Sequence, residues 1–220
     1  MNTHLSHKSC VAGVPIFNHL EDWQMDEIMR TAHPIHLQKG ELLYHAGDTS
    51  DTLYIVHKGR MRIYRLSENG KEQTLRILGP GEFTGEYALF AETMHESYAV
   101  ATEKTSICSI NQQDLHLFLQ EYPSISLKVL QVFSQRLDET ENQATSMATE
   151  KVDTRIGQYL IDSANDKEEF MLPMSRRELA TYLGTTPETI SRKLAEFEDK
   201  GYIKQLTPRK IRMIQPEMLI

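Results

Sequence analysis

The spacing of apolar residues changes character several times along the chain. Over residues 16–30 (IFNHLEDWQMDEIMR) apolar positions recur at helical spacing, with Leu20, Trp23 and Ile28 as the expected packing residues. From about residue 33 the pattern becomes short runs between turn signals. Lys39-Gly40, Ala46-Gly47-Asp48, Lys58-Gly59, Asn69-Gly70 and Pro80-Gly81 separate runs such as Leu53-Tyr54-Ile55-Val56, Met61-Arg62-Ile63-Tyr64 and Leu75-Arg76-Ile77-Leu78. Asn-Gly between two such runs signals a hairpin, because the tight turn needs positive φ at both central residues. Residues 97–102 and 105–110 add further strands. Seven or eight short strands so spaced predict an antiparallel roll or sandwich rather than a βαβ fold.

Beyond the strands the period returns to that of a helix. Residues 112–120 form a short helix that ends near Pro123, and residues 124–150 run on without Gly or Pro as one long helix. Leu130, Leu137 and Ala144 stand seven apart, as do Phe133, Thr140 and Met147, which makes an a/d seam of roughly three heptads. Such a seam suits either a dimer or an amphipathic helix packed on its own domain. A helix this long outreaches the roll it leaves, which favours the dimer. Residues 151–163 then read as a further helix with Ile156, Tyr159 and Leu160 inward.

The most informative stretch is 175–203, SRRELATYLGTTPETISRKLAEFEDKGYI. Ser175 and Glu178 have capping-box spacing, so a helix starts just after Ser175, with Leu179, Tyr182 and Leu183 on its apolar face. Gly184 supplies a sharp turn. Thr186 caps the next helix and Pro187 takes its first position, where a missing N–H costs nothing. Ile190, Leu194 and Phe197 face inward and Gly201 ends the helix. Two short helices about a tight turn make a helix-turn-helix, whose second helix enters the major groove of DNA. Glu188, Ser191 and Arg192 share one outward side of its first two turns. Arg pairs bidentately with guanine, Glu accepts from cytosine N4, and Ser serves several bases. Residues 204–206 and 210–214 flank Thr207-Pro208-Arg209 as a small hairpin, the wing of a winged helix.

Composition bounds this picture. The chain has 220 residues, 40% hydrophobic and 25% charged, which suits one large or two modest globular domains. It contains no long apolar run and no signal-peptide pattern, so a cytoplasmic protein without a membrane partner is expected. The net charge of -7 argues at first against nucleic acid, but residues 151–220 hold 12 Lys and Arg against 11 Asp and Glu. The acidity lies in the N-terminal part. Arg176, Arg177, Lys193, Arg209 and Lys210, with Arg212 and the hydroxyls of Thr186 and Thr189, are the candidate contacts to the DNA backbone. The low overall charge predicts weak non-specific binding.

The order of roll, long helix and winged helix-turn-helix resembles the CRP/FNR family of bacterial transcription regulators. The stretches that carry the resemblance are GDTSDTLYIVHKGRMRIYR, GPGEFTGEYALF and TTPETISRKLAEFEDKGYI. Within the family the chain looks most like the FNR-like proteins (Flp type) of low-GC Gram-positive bacteria. The resemblance implies an α+β chain in four parts: a flexible arm over 1–15, a sensory, cyclic-nucleotide-binding-like antiparallel β-roll over 16–123, a dimerisation helix over 124–150, and a winged helix-turn-helix DNA-binding domain over 151–220. It implies a homodimer with Leu130, Phe133, Leu137 and Ala144 in its seam, bound to a palindromic promoter site and working with RNA polymerase. Glu188, Ser191 and Arg192 match the FNR branch, which implies TTGA half-sites in an inverted repeat.

The resemblance also frames the signal. Cyclic-nucleotide-binding members hold a Gly-Glu for the ribose and, ten residues beyond that Glu, an Arg followed by Ser or Thr for the phosphate. Gly85, Glu86 and Ser97 are present, but the Arg position is Glu96. A carboxylate repels a cyclic phosphate and offers it no N–H fork, so no cAMP is expected, and Gly85 and Glu86 read as fold-keeping residues. An iron–sulfur cluster of the FNR kind needs four thiolates. The chain has only Cys10 and Cys108, so none is expected. The pair resembles that of the FNR-like proteins of lactic-acid bacteria, in which an arm and a roll cysteine form a dithiol–disulfide switch. Taken singly, Cys108 reads as a small buried hydrophobe and Cys10 as an ordinary tail residue. His4, His7 and Cys10, three apart, are a weak candidate zinc site, since imidazole and thiolate suit that metal; otherwise no metal or cofactor is expected. A regulator gated by a small molecule or metal in the roll is the alternative. A thiol-dependent enzyme would want a CxxC at a helix start, which is absent, so no catalytic residue is assigned.

Overall fold

The computed structural model of the chain describes residues 11–90, 93–165 and 167–220. They fall into two compact units. One comprises the described part of Met1–Leu66 with Leu75–Leu137, the other Ser67–Thr74 with Asp138–Ile220.

Among the described residues a helix α1 (Asp22–Thr31) precedes ten strands, all in the first unit except the sixth, which the two units share. β1 (His33–Leu37), β10 (Thr105–Asn111), β4 (Thr52–Lys58) and β7 (Phe83–Thr84) form one antiparallel sheet in that order. β2 (Leu42–Tyr44), β9 (Tyr98–Ala101), β5 (Met61–Leu66) and β6 (Glu72–Leu78) form a second. β3 (Thr49–Ser50) and β8 (Thr93–Met94) pair separately. The alternation of side chains along a strand sorts the core. On β10, Ile107 enters the core that holds Val56, Met61, Ile63 and Ala99. Its neighbours Cys108 and Ile110 enter another, beneath α2 (Gln112–Glu121) and the start of α3 (Ser124–Thr149), with Leu115, Phe118, Ile125 and Val129. β10 is buried on both faces although its sequence, Thr105-Ser106-Ile107-Cys108-Ser109-Ile110-Asn111, mixes small polar and apolar residues, whereas β4 carries the apolar run Leu53–Val56.

Two expectations change here. Residues 11–15 are no flexible arm: Val11 and Val14 are fully buried in the same core as Cys108. Trp23 is not a packing residue in the sense expected. It is 62% exposed, and its ring meets that of Tyr122 in a T-shaped contact with centroids 6.2 Å apart. The helix begins at Asp22 rather than Ile16, so the register of its inward face is set by Ile28.

The second unit contains α4 (Val152–Ala164), α5 (Arg176–Tyr182) and α6 (Pro187–Asp199). Beside them lies a sheet of three strands, β11 (Glu169–Met171), β13 (Lys210–Met213) and β12 (Ile203–Gln205), in that order. The hairpin read from the sequence is β12–β13; β11 is an addition to it. Ile156, Leu160, Leu179, Ile190, Leu194, Phe197 and Ile211 are buried. No helix among the described residues is long and apolar enough to cross a membrane.

Candidate nucleic-acid interface

The two helices of the motif start where local chemistry dictates. Ser175 Oγ accepts from the Glu178 N–H at 3.3 Å, and Glu178 Oε2 accepts from the Ser175 N–H at 2.6 Å, closing the capping box of α5. Gly184, at φ +65°, makes the turn. Thr186 Oγ1 accepts from the Thr189 N–H at 3.3 Å and Pro187 follows it at the start of α6. Buried Ile190, Leu194 and Phe197 fix which side of α6 faces in. Glu188 and Arg192 are therefore exposed, with Ser191 half-buried beside them. The Glu188 backbone N–H first, and then the Thr186 hydroxyl, hold the Glu188 carboxyl below its ordinary pKa.

The basic residues divide sharply. Arg177 is exposed, like Arg192. Arg176 points inward: its guanidinium donates to Ser191 Oγ at 3.2 Å and to Gln205 Oε1 at 2.7 Å, joining α5, α6 and β12. Gln205 is held in turn by Glu198, at 2.8 Å for each of two hydrogen bonds. Lys193 pairs with Asp153 at 2.8 Å and Glu196 at 3.0 Å, on the side of α6 that faces α4. In the wing, Arg209 donates to the Leu172 carbonyl at 3.2 and 2.9 Å. Lys210 and Arg212 share Glu169, the ammonium at 2.5 Å and the Arg212 Nε at 2.9 Å. Thr186 is exposed and Thr189 half-buried. The structure thus gathers Glu188, Ser191, Arg192, Thr186 and Thr189 at the start of α6, and engages Arg176, Lys193, Arg209 and Lys210 within the unit. Glu169, Gln205 and Glu198 were missed from sequence; only the Glu168-Glu169 doublet ahead of Phe170 hinted at an acidic edge.

In the first unit, Glu86 lies mostly buried between two guanidinium groups, Arg76 at 2.7 Å and Arg136 at 3.1 Å. Burial alone would raise its carboxyl, but the two cations together hold it below the ordinary value. Arg136 also donates to the Phe83 carbonyl at 2.8 Å and covers the Phe83 ring at 4.3 Å. Glu96 is paired with Arg65. The His95 ring stacks on Tyr44 at 3.6 Å, and the Tyr44 hydroxyl meets Thr84 Oγ1 at 2.6 Å. The space left among these groups is about 60 Å³, well under the roughly 300 Å³ at which small-molecule sites begin.

Cys108 is 3% exposed. Cys10, His4 and His7 lie outside the described residues. On α3, Leu130 and Leu137 are 60% and 58% exposed, with Ala144 also exposed. Phe133 is half-buried instead, its ring 5.5 Å from that of Phe90.

Residues 34–122 match the cyclic nucleotide-binding domain, and residues 154–220 the Crp-like helix-turn-helix domain. The chain is 32% identical to the probable transcriptional regulator flp of Lacticaseibacillus casei, over 95% of each chain. It is 31% identical to the transcriptional activator protein Anr of Pseudomonas protegens, over 86% of this chain and 80% of that one. Among solved structures, FixK2 from Bradyrhizobium japonicum superposes with a TM-score of 0.78 at 24% identity, over 86% of this chain and 95% of that one. That likeness is one of fold.

Proposed function

The chain belongs to the CRP/FNR family of DNA-binding transcription regulators, and from that premise we propose that it binds an inverted repeat of TTGA half-sites as a cytoplasmic homodimer and acts on RNA polymerase. The observation that carries the reading is the outward trio on α6: Glu188 and Arg192 exposed, Ser191 between them, on a helix whose opposite side is locked into a core. Arg192 pairs with the guanine of the half-site, Glu188 accepts from a cytosine N4, and Ser191 serves a neighbouring base. Arg177 and the hydroxyls of Thr186 and Thr189 meet phosphates directly. Arg176 and Lys193 support the reading differently, by holding α6 in place. The seam of the dimer is Leu130, Leu137 and Ala144, and the exposure of the two leucines supports it. Half-buried Phe133 completes that seam. The protein is not an enzyme; no catalytic group is required by this reading.

The roll is proposed to bind no cyclic nucleotide. The Glu96–Arg65 pair, the locked Glu86 and the small residual space all support this. The proposed signal is thiol oxidation, joining Cys10 to Cys108. Val11, the chain neighbour of Cys10, packs in the same core as Cys108, which supports an approach of the two sulfurs. The burial of Cys108 means that an oxidant reaches it only on local opening.

The test is titration of the protein onto an inverted-repeat TTGA duplex and onto a scrambled duplex, with light scattering and with reducing and oxidising arms. Tight binding of the palindrome by a dimer is expected. Equal affinity for both duplexes would sink the base-reading assignment. A Leu137→Glu protein that stays dimeric would sink the seam. Cys10→Ser and Cys108→Ser proteins that respond to oxidant like the parent would end the thiol switch.

A further inference from the structure

The tip of the β5–β6 hairpin, Ser67–Thr74, belongs to the second unit, although β5 before it and the rest of β6 after it belong to the first. The chain therefore passes between the units at residues 66–67, 74–75 and 137–138, where a single passage would join them. The tip is closed on itself. The Gly70 N–H donates to the Ser67 carbonyl at 2.8 Å and the Ser67 N–H to the Lys71 carbonyl at 3.0 Å. From there β6 runs inward: Lys71 is exposed, Glu72 and Gln73 are half-buried, and Thr74 is fully buried. Within the second unit Thr74 Oγ1 lies 2.6 Å from Thr181 Oγ1 on α5. The direction of that bond follows from the other bond of Thr181. Its hydroxyl proton goes to the Glu178 carbonyl at 2.9 Å, so Thr181 accepts and Thr74 donates. Glu178 is also the residue whose carboxylate closes the capping box of α5. The next carbonyl beyond Thr181, that of Tyr182, accepts from Gln143 Nε2 at 3.1 Å and from Gln73 Nε2 at 3.4 Å. Two residues past Thr74, Arg76 holds Glu86, so the strand is anchored there as well.

We propose that Thr74 is a positioning residue for DNA reading: its hydroxyl latches α5, and through α5 the base-reading helix α6, in the placement that fits a half-site. Fully buried, Thr74 cannot itself touch DNA. It acts through Thr181, at the last turn of α5 before the Gly184 turn. α5 and α6 move together because Arg176 joins α5 to Ser191 on α6 and to Gln205 on β12. A valine would fill the place of Thr74 without needing a partner. The hydroxyl adds direction, so that α5 is fixed in rotation as well as in distance. A reading helix fixed beforehand spends less of its binding energy on being ordered when it meets DNA. The consequence for DNA rests on the DNA-binding reading; the contact with α5 does not.

Thr74→Val keeps the volume and removes the donor; Thr74→Ser keeps the donor. At a temperature where every protein is folded, Thr74→Val is expected to bind the palindromic TTGA duplex severalfold more weakly, up to about tenfold, as one lost hydrogen bond allows. Binding to the scrambled duplex should not change, and Thr74→Ser should bind like the parent. A residue that only supports the fold would lower the melting temperature and leave these affinities alone. Thr181→Val is expected to show the same loss, and the Thr74→Val, Thr181→Val double variant no more than either, since one interaction is removed once. Hydrogen exchange is followed without DNA at the Leu183 and Thr185 amides, which close α5 on the Leu179 and Ala180 carbonyls. It is expected to quicken in Thr74→Val and not in Thr74→Ser. If Thr74→Val fails to fold, Thr181→Val, at a half-buried position, carries the test. Unchanged palindrome affinity in both valine variants, a serine variant as weak as the valine one, or additive losses would overturn the proposal. A parent that binds both duplexes alike, with exchange quickened in Thr74→Val, would sink the base reading and leave the latch on α5 standing.

Discussion

The two units handle charge in opposite ways. In the first, Glu86 is mostly buried and closed between Arg76 and Arg136. In the second, Glu188 and Arg192 ride exposed on a helix whose apolar side is fully used. A carboxylate and a guanidinium occur in both places, yet one set keeps a shape and the other is available to a partner. What separates them is where the neighbouring counter-charge sits, not residue type.

The largest expected effect comes from opening the closed set. Arg136→Ala leaves Glu86 buried with one cation and strips the cover from Phe83. Breaking a fully buried pair from one side costs about 3–5 kcal/mol; here Arg76 stays with Glu86 and the groups are partly exposed, so the loss should fall below that range. The single tryptophan, Trp23, belongs to this unit, so denaturant unfolding followed by its fluorescence reads the loss there. The pH dependence has a definite sign. The Glu86 carboxyl titrates lower folded than unfolded, so its contribution is present above the unfolded carboxyl value, about 4.3, and fades as pH falls through the folded value. Parent protein should lose stability along that acid limb, and Glu86→Gln should lose less of it. An acid limb of unchanged steepness would mean that the pairing is not what holds the roll.

Next comes the open set. Arg192→Ala should leave unfolding almost unchanged and cost about 1–3 kcal/mol of binding to TTGA sites, with relaxed choice at the G·C pair. Arg177→Ala should weaken binding to every sequence alike and reduce the salt slope by about one. Arg176→Ala should behave unlike either. It frees Ser191 and Gln205, so loss of affinity should come with loss of thermal stability. If Arg176→Ala affects only binding, its guanidinium turns to phosphate in the complex and the internal bonds are not what matter.

A smaller effect separates two glycines of positive φ. Gly201, at φ +76°, follows α6 with nothing near its missing Cβ, so Gly201→Ala should cost only the left-handed backbone strain, about 1–2 kcal/mol. At Gly85, φ +80°, a Cβ would stand 2.1 Å from the Thr52 carbonyl oxygen, and backbone must move as well. The same substitution there should cost distinctly more. Equal losses in thermal unfolding would show that β4 yields readily beside Gly85.

These differences follow what local sequence can carry. Ser175 with Glu178, Thr186 with Pro187, and Gly184 each act within a few residues, so the helix-turn-helix was legible down to its caps. The trio on α6 was legible because a helix fixes which side a residue takes once Ile190 and Leu194 are inward. The Glu86 cluster was not, since Arg136 arrives from another element fifty residues away. Burial of Val11 and Val14 likewise depends on a core that residues 53–129 assemble. Trp23 misled because a short helix offers several possible inward registers, and only tertiary cover chooses among them. Engagement of Lys193 and Lys210 by Asp153 and Glu169 was hidden for the same reason: spacing shows a charge, not its partner.

Glu169 gives the smallest effect and the finest test of the comparison, because it makes the open unit partly closed. Its carboxylate holds Lys210 at 2.5 Å and Arg212 Nε at 2.9 Å, and those cations, Lys210 foremost, keep its carboxyl below the ordinary value. Exposed pairs of this kind add little to a fold, so Glu169→Gln should unfold nearly as the parent does. On DNA the released cations become available to phosphates. Affinity should rise severalfold at low salt, and the salt slope should steepen by about one counterion for each cation that makes contact. The sign is opposite to that of Arg177→Ala, and it should be the same for palindromic and scrambled duplexes. Titrations over a series of salt concentrations measure both affinity and slope. If Glu169→Gln and the parent give one line, the wing does not meet the backbone, and the division between open and closed charge would stop at the edge of α6.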